Sequence, residues 1–413
     1  MVFVSHPTGN ANVAAVVTAL LDDRLLGGYA TCVHWRPERV WAPLVPAGLR
    51  RTLERRARLS VPDELLFTRP GREMLRHLLP KVKLGKLTKG YGSPFGVDAV
   101  YQDLDRYAAW VMEWQRKKGI PLKAVYAYED GALAQFEMAA RLGLKRIYDL
   151  PIGYWRANRA ISQEEVELQP EWRGTLNALA DPEEKLARKD AEIAAADVIF
   201  VASSFTRSTL TQYGGKVPEV RVIQYGTPPP TTTPRNLTES RQPLRVLYVG
   251  SLTQRKGISY LFEGVEKLGA HACLTVIGRK VGSSEALDAA CNRHRWIESL
   301  PHAQILQEMR SHDVLVFPSL FEGFGLVIGE ALSQGVPVIT TAHTGGPDIL
   351  REGVDGFIVP IRDAEAIAAR LLQLHGDRKL LREMSENARA RAAELTWKAY
   401  QDRTVALVRE TIG

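Results

Sequence analysis

The chain has 413 residues, 45% of them hydrophobic and 24% charged, the proportions of an ordinary soluble protein with length for two or three domains. Its net charge is +7, and its three cysteines (Cys32, Cys273, Cys291) have no metal or redox spacing, so they read as buried reduced thiols. The apolar stretch from Asn12 to Leu21 is too short to span a bilayer, and Met1–Ser5 lacks the basic-then-apolar build of a signal peptide, so a cytoplasmic protein is expected.

Taken in chain order, the first half alternates strand-like and helix-like stretches. Strands are expected at Val2–Ser5, Ala30–His34, Ala124–Tyr128, Lys145–Leu150, Val198–Ala202 and Val220–Gln224, with helical patterns such as Ala99–Lys118 and Pro182–Ala196 between them. Such alternation implies an α/β domain with a doubly wound parallel sheet. Between Arg50 and Lys89, twelve lysines and arginines face four carboxylates, and interleaved leucines suggest amphipathic helices with basic faces. No nucleic-acid module accompanies the charge, so nucleic acid is not expected as a partner. Two readings remain, a solvated basic face and contact with an anionic membrane surface.

Five prolines between Gly226 and Pro243 mark residues 227–243 as a Pro/Thr-rich linker, because proline extends neither a helix nor a central strand. Domain 1 then occupies residues 1–226. A second α/β domain, residues 244–393, restarts with the apolar run Leu244–Val249 ending at Gly250, as a buried parallel strand should. Residues 394–413 read as a terminal helix. Two open α/β sheets of this kind hold their ligand crevices at the carboxyl ends of their strands, so facing domains share one cleft. Asp103-Leu104-Asp105 is set aside as a metal site, since residues two apart on a helix point in different directions.

Phe321-Glu322-Gly323-Phe324-Gly325-Leu326-Val327-Ile328-Gly329-Glu330 follows the strand-like run Val314–Phe317 and opens a helix. A strand–loop–helix junction of this kind offers bare N–H groups and a positive helix end, and glycines let backbone approach a phosphate. The framing carboxylates, Glu322 and Glu330, would repel phosphate and are better suited to accepting hydrogen bonds from sugar hydroxyls.

This Glu-x7-Glu segment resembles the signature of retaining glycosyltransferases of the GT-B fold, family 4. The resemblance extends to Val249–Gly257, Asp313–Ser319, Gly335–Ile339, Thr344–Asp348 and Asp355–Phe357, in the family's order and covering roughly residues 244–360. It implies two facing Rossmann-like domains, with a nucleotide-diphosphate sugar on the second, an acceptor on the first and the terminal helix crossing back. It implies that Lys256 meets the diphosphate, that Glu330 holds the ribose, and that Glu322 and the backbone of Phe324, Gly325 and Leu326 hold sugar and phosphate. Gly278 and Arg279, after the strand Ala272–Ile277, are placed at the nucleotide pocket. His6, Thr8, Gly9 and Asn10 sit where the family carries a loop on the acceptor side. Ser251 stands where many relatives carry arginine, and Asp149 stands at or beside the place of a histidine that touches the donor sugar. Asp149 is accordingly read either as a catalytic carboxylate or as a cap for the next segment, and Arg255 as pointing away from the site. With Lys256 and a helix dipole at the diphosphate, neither a metal nor a cofactor is expected. The acceptor is a sugar or a lipid-linked glycan, and bacterial polysaccharide or glycolipid assembly at the inner face of a membrane fits the basic first domain. The rival readings are a catalytically degenerate nucleotide-sugar-binding partner, an epimerase or phosphorylase of the same fold, and a dinucleotide dehydrogenase. No Gly-x-Gly-x-x-Gly follows a strand to support the last of these.

Overall fold

The structure, a computed structural model, describes residues 1–413 apart from 36–58, 177, 234, 236 and 238–241. The first sheet contains β1 (Val2–Ser5), β2 (Leu26–Thr31), β3 (Leu66–Thr68), β4 (Ala124–Tyr128), β5 (Lys145–Leu150), β6 (Val198–Val201) and β7 (Glu219–Val222), in the order β3-β2-β1-β4-β5-β6-β7. The second contains β8 (Leu244–Val249), β9 (Ala272–Ile277), β10 (Arg295–Ile297), β11 (Val314–Phe317), β12 (Val338–Thr341) and β13 (Gly356–Val359), in the order β10-β9-β8-β11-β12-β13. Every pairing is parallel. The apolar runs explain this arrangement: β1, β4, β6, β11 and β12 are buried at every position, which requires helices on both faces of each sheet. Strand order reverses between β1 and β4 in the first domain and between β8 and β11 in the second. Crevices open at such points.

Three local expectations are corrected. The second strand starts at Leu26 rather than Ala30 and includes Gly27 and Gly28. A Cβ at Gly27 would lie 2.6 Å from the Leu122 side chain and one at Gly28 2.8 Å from the Phe3 ring, so these glycines permit close packing and do not break the strand. The basic segment is helical only in part among the described residues. Arg50 to Arg58 lie outside the described residues, and the rest forms the edge strand β3, the helix Gly71–Leu78 and short turns. Cys273 is exposed on β9, whereas Cys32 and Cys291 are buried.

The last helix, Trp397–Ile412, begins at a cap in which Thr396 Oγ1 accepts from the Ala399 N–H, and it lies on the first domain. Arg409 bonds Asp23 at 2.8 Å, Arg403 donates to Gln224 at 3.1 Å and Gln401 to the Ala15 carbonyl at 3.3 Å. Among the described residues no helix is long and apolar enough to cross a membrane.

The two domains meet closely around the second domain's loops. Glu165, on the helix Trp155–Leu168 of domain 1, is fully buried and accepts from Gln254 Nε2 at 2.8 Å and Arg362 Nε at 2.5 Å. Trp172 stacks on Phe262 at 6.0 Å, and Thr253 and Gln254 both bond Thr175. A buried carboxylate requires such partners, so these polar contacts fix which faces of the domains meet.

Candidate active site

Four glycines place the second domain's loops against their neighbours. Gly257 has φ of +67°, and a Cβ there would lie 2.0 Å from the Pro318 carbonyl oxygen. Only glycine therefore lets the turn Thr253–Gly257 rest on the strand end of β11. A Cβ at Gly278 would lie 1.7 Å from the Gly250 carbonyl oxygen, so the ends of β8 and β9 also meet backbone to backbone. Gly325, with φ of +84°, caps the helix Leu326–Ser333. The fourth, Gly323, faces the other domain: a Cβ there would lie 1.8 Å from the Pro151 carbonyl oxygen.

These contacts surround a cleft of about 390 Å³ at the β8/β11 switch point. Asn12, Pro151 and Tyr225 line it from the first domain and the approach to the linker. From the second come Val249, Gly250, Ser251, Arg255, Lys256, Phe317, Glu322, Phe324, Gly325, Leu326 and Val327. Lys256 Nζ pairs with Glu322 and lies 5.0 Å from the centre of the Phe317 ring. Burial, with a smaller contribution from the Arg255 charge, drives the Lys256 amine well below the usual lysine range, and the Glu322 carboxylate opposes that drift. Arg255 corrects the sequence reading: it faces the site, donating to the Phe321 carbonyl at 2.5 Å and standing 4.0 Å from Glu322. Two cations thus bracket one carboxylate beside the open N-terminus of a helix, an arrangement that attracts an anion carrying hydroxyls.

The loop carrying Glu322 is pinned to domain 1. The Gly323 carbonyl accepts from Ser203 Oγ at 2.5 Å and Thr206 Oγ1 at 3.0 Å. Phe321 packs with Phe205 and Ala157, and Ser204 bonds Asp348 through both its N–H and its hydroxyl. Asn12 Oδ1 and Tyr225 Oη are buried in the cleft wall without a hydrogen-bond partner of good geometry among the described residues, although the two side chains are neighbours. Buried polar atoms of this kind are costly unless a ligand satisfies them.

Of the other expected residues, Ser251 lines the cleft and the rest fall around it. Glu330 is one turn along the helix from Leu326, so it continues the same face, and it pairs with His302 at 2.8 Å. Ser251 lines the cleft, its carbonyl held by the Tyr248 hydroxyl at 2.9 Å. Gly278 and Arg279 support the neighbouring turn, where the Arg279 carbonyl accepts from the Leu252 N–H at 2.8 Å, and neither lines the cleft. On the acceptor side, His6, Thr8, Gly9 and Asn10 build the loop that leads into the helix bearing Asn12. His6 Nδ1 accepts from the N–H groups of Thr8 and Gly9, both at 3.1 Å, and Asn10 caps the helix Ala11–Asp22 through Val13 N–H. Burial lowers the His6 imidazole to a pKa of about 4, which keeps it neutral at physiological pH. Sequence reasoning missed Asn12, Tyr225, Pro151 and Arg255. Only Asn12 carried a signal, its place just beyond the glycine-bearing loop.

Compared with known proteins, residues 231–391 match the model of the family described as glycosyl transferases group 1. A sucrose synthase from Acidithiobacillus caldus is 30% identical over 222 residues, covering 46% of this chain and 28% of that protein. A capsular polysaccharide biosynthesis glycosyltransferase from Staphylococcus aureus is 26% identical over 254 residues, covering 55% of this chain and 66% of its own. The chain thus spans less than two thirds of each curated relative. Among solved structures, Anabaena Alr3699/HepE in complex with UDP superposes with a TM-score of 0.61 at 14% identity, covering 99% of both chains. That likeness shows the fold: two facing Rossmann-like domains of the GT-B type.

Asp149 lies in the first domain's core and not on the cleft wall. Its carboxylate accepts from the Tyr126 hydroxyl at 2.6 Å, close to Tyr128, Tyr225 and Tyr400. Burial raises its pKa to about 7, against a partial lowering by the Tyr126 bond. The folded state holds this proton more tightly than the unfolded state, whose carboxyl ionises near its ordinary value of 3.8. Stability from the neutral acid is therefore full below that value and is lost as pH rises to about 7. Asp149→Asn is expected to stabilise the fold increasingly with pH, its advantage growing by about 3 kcal/mol between roughly pH 5 and pH 8. Urea unfolding at the two pH values checks this, and an advantage independent of pH would contradict it.

Proposed function

Residues 231–391 match the glycosyl transferases group 1 model, and from that likeness we propose that the cleft moves a sugar from a nucleotide-diphosphate sugar to an acceptor hydroxyl. The observation that carries this reading is the convergence of Lys256, Arg255 and Glu322 at the N-terminus of the helix Leu326–Ser333. A diphosphate entering there exchanges the Glu322 contact of Lys256 for its own oxygens. Glu322 is then released to accept from sugar hydroxyls, and the polar atoms of Asn12 and Tyr225 face the acceptor side.

In the proposed reaction the acceptor oxygen bonds to the anomeric carbon while the bond from that carbon to the diphosphate oxygen breaks. The electron pair leaves with the diphosphate, where Lys256 and Arg255 meet the growing charge. Such contacts accelerate the step because they strengthen toward the transition state. The departing phosphate oxygen takes the acceptor proton, and attack from the face that it leaves retains the anomeric configuration. With two fixed cations and a helix end at the diphosphate, this scheme uses no divalent ion and no cofactor.

Glu330, continuing the cleft face, is assigned to the ribose, and the relative of capsular polysaccharide biosynthesis suggests a growing glycan, sugar or lipid-linked, as acceptor. The combination of Lys256, Glu322 and Arg255 favours an active enzyme over a degenerate binding partner or an epimerase. Incubation with nucleotide sugars and an acceptor, followed by proton NMR of the anomeric signal, is expected to show retained configuration and undiminished turnover in excess EDTA. Lys256→Ala is expected to lower kcat by about 100-fold or more. An inverted product, or full activity in Lys256→Ala, would contradict the scheme.

The first domain also offers a surface for peripheral membrane contact at the inner face. Met74, Leu75, Leu78, Val82, Leu84 and Leu87 are all exposed, and Lys81, Lys83, Lys86 and Lys89 are exposed among them. Apolar side chains interleaved with lysines suit an anionic bilayer surface. Co-sedimentation with phosphatidylglycerol vesicles is expected at low salt and should fall as salt rises, whereas no binding at low salt would remove the membrane from this account.

A further inference from the structure

A second concave site lies on the outer face of the first domain, formed by Arg69, Asp103, Arg106, Tyr107 and Trp110 around a cavity of about 440 Å³. None of these residues takes part in the catalytic cleft. Tyr107 and Trp110 are three apart on the helix Val97–Lys117 and so share a face. Their rings stack at 5.9 Å with an interplanar angle of 23°, and Trp110 is 57% exposed. The open Trp110 ring, lying nearly parallel to the half-buried Tyr107 ring, offers a flat apolar face.

The polar groups stand at one end of that face. Asp103 accepts from Arg69 Nε at 3.1 Å and lies 3.6 Å from Arg72 Nε, and Arg69 also lies over the Tyr107 ring at 5.7 Å. Arg106 is exposed and forms no hydrogen bond or ion pair with any described residue. A flat apolar wall with a carboxylate and guanidinium groups at its edge complements a pyranose. The sugar's C–H face lies on the rings while its hydroxyls donate to Asp103 and accept from the arginines. A bilayer surface suits the site less well, because the site is concave.

We propose that this is a glycan-binding site separate from the catalytic cleft. It holds one or two sugar units of an oligosaccharide, and Arg106 selects for an acidic sugar through its unpaired charge. The volume falls within the range of small-ligand sites. The inference does not depend on the reaction in the cleft, since the site shares no residue with it.

Calorimetric titration of the full chain with two hexasaccharides tests the proposal, one alternating glucuronic acid with N-acetylglucosamine and the other a neutral glucan. The acidic chain is expected to bind saturably and more tightly than the neutral one. Trp110→Ala, which removes an exposed ring and so leaves the fold intact, is expected to weaken both by about tenfold or more. Arg106→Ala is expected to abolish the preference for the acidic chain while leaving neutral binding in place. Melting temperatures of both variants, unchanged from the parent, would establish that the losses are local. Absence of saturable binding by either hexasaccharide, or binding undiminished in Trp110→Ala, would overturn the proposal. Loss of vesicle binding in Trp110→Ala without any glycan binding would also overturn it and assign the rings to a membrane.

Discussion

The cleft depends on backbone meeting backbone where no side chain fits. At Gly257 the cation-bearing turn rests on the Pro318 carbonyl, and at Gly323 the carboxylate-bearing loop rests on the Pro151 carbonyl of the other domain. Any Cβ at either place forces the two loops apart, and with them Lys256 from Glu322. The first contact aligns the cations with the strand end, and the second ties the pair to the first domain's edge. Electrostatics alone would not hold this geometry, because an ammonium and a carboxylate in water gain little from each other. Packing places them, and partial burial then makes the charges count.

The same interface decides which groups face a ligand. Ser203 and Thr206 take up the Gly323 carbonyl, Phe321 fills an apolar seat beside Phe205, and Glu165 satisfies Gln254 and Arg362. Among the described residues, Asn12 and Tyr225 keep buried polar atoms without a hydrogen bond of good geometry in the cleft wall. Asp149 lies one layer deeper among tyrosines, where its acidity is a property of the core. A residue in the right stretch of sequence thus need not reach the chemistry, because strand pleating decides which face it takes.

Much of the second domain was legible from sequence, because its strands are continuous apolar runs bounded by glycine and proline. Ala272–Ile277 has the expected limits, and Leu244–Val249 ends one residue short of Gly250. Lys256, Glu322, Phe324, Gly325 and Leu326 line one cleft, the grouping that the family resemblance implied. The first domain was less legible. Gly27 and Gly28 read as breaks but serve close packing, which no local pattern reveals. The basic segment's leucines matched a buried helical face, yet Leu75, Leu78, Leu84 and Leu87 stand exposed. Arg255 was missed because the direction of a side chain in a tight turn depends on the carbonyl it finds, here that of Phe321, sixty-six residues away.

The central claim is that these loops form a nucleoside-diphosphate site. The most direct measurement is the melting temperature of the protein with UDP, GDP, ADP, dTDP and CMP, repeated for Lys256→Ala. One diphosphate at about 100 times its Kd should stabilise the fold by roughly 2.7 kcal/mol, and the variant should lose that gain. No shift with any nucleotide at millimolar concentration, or an equal shift in the variant, would contradict the account.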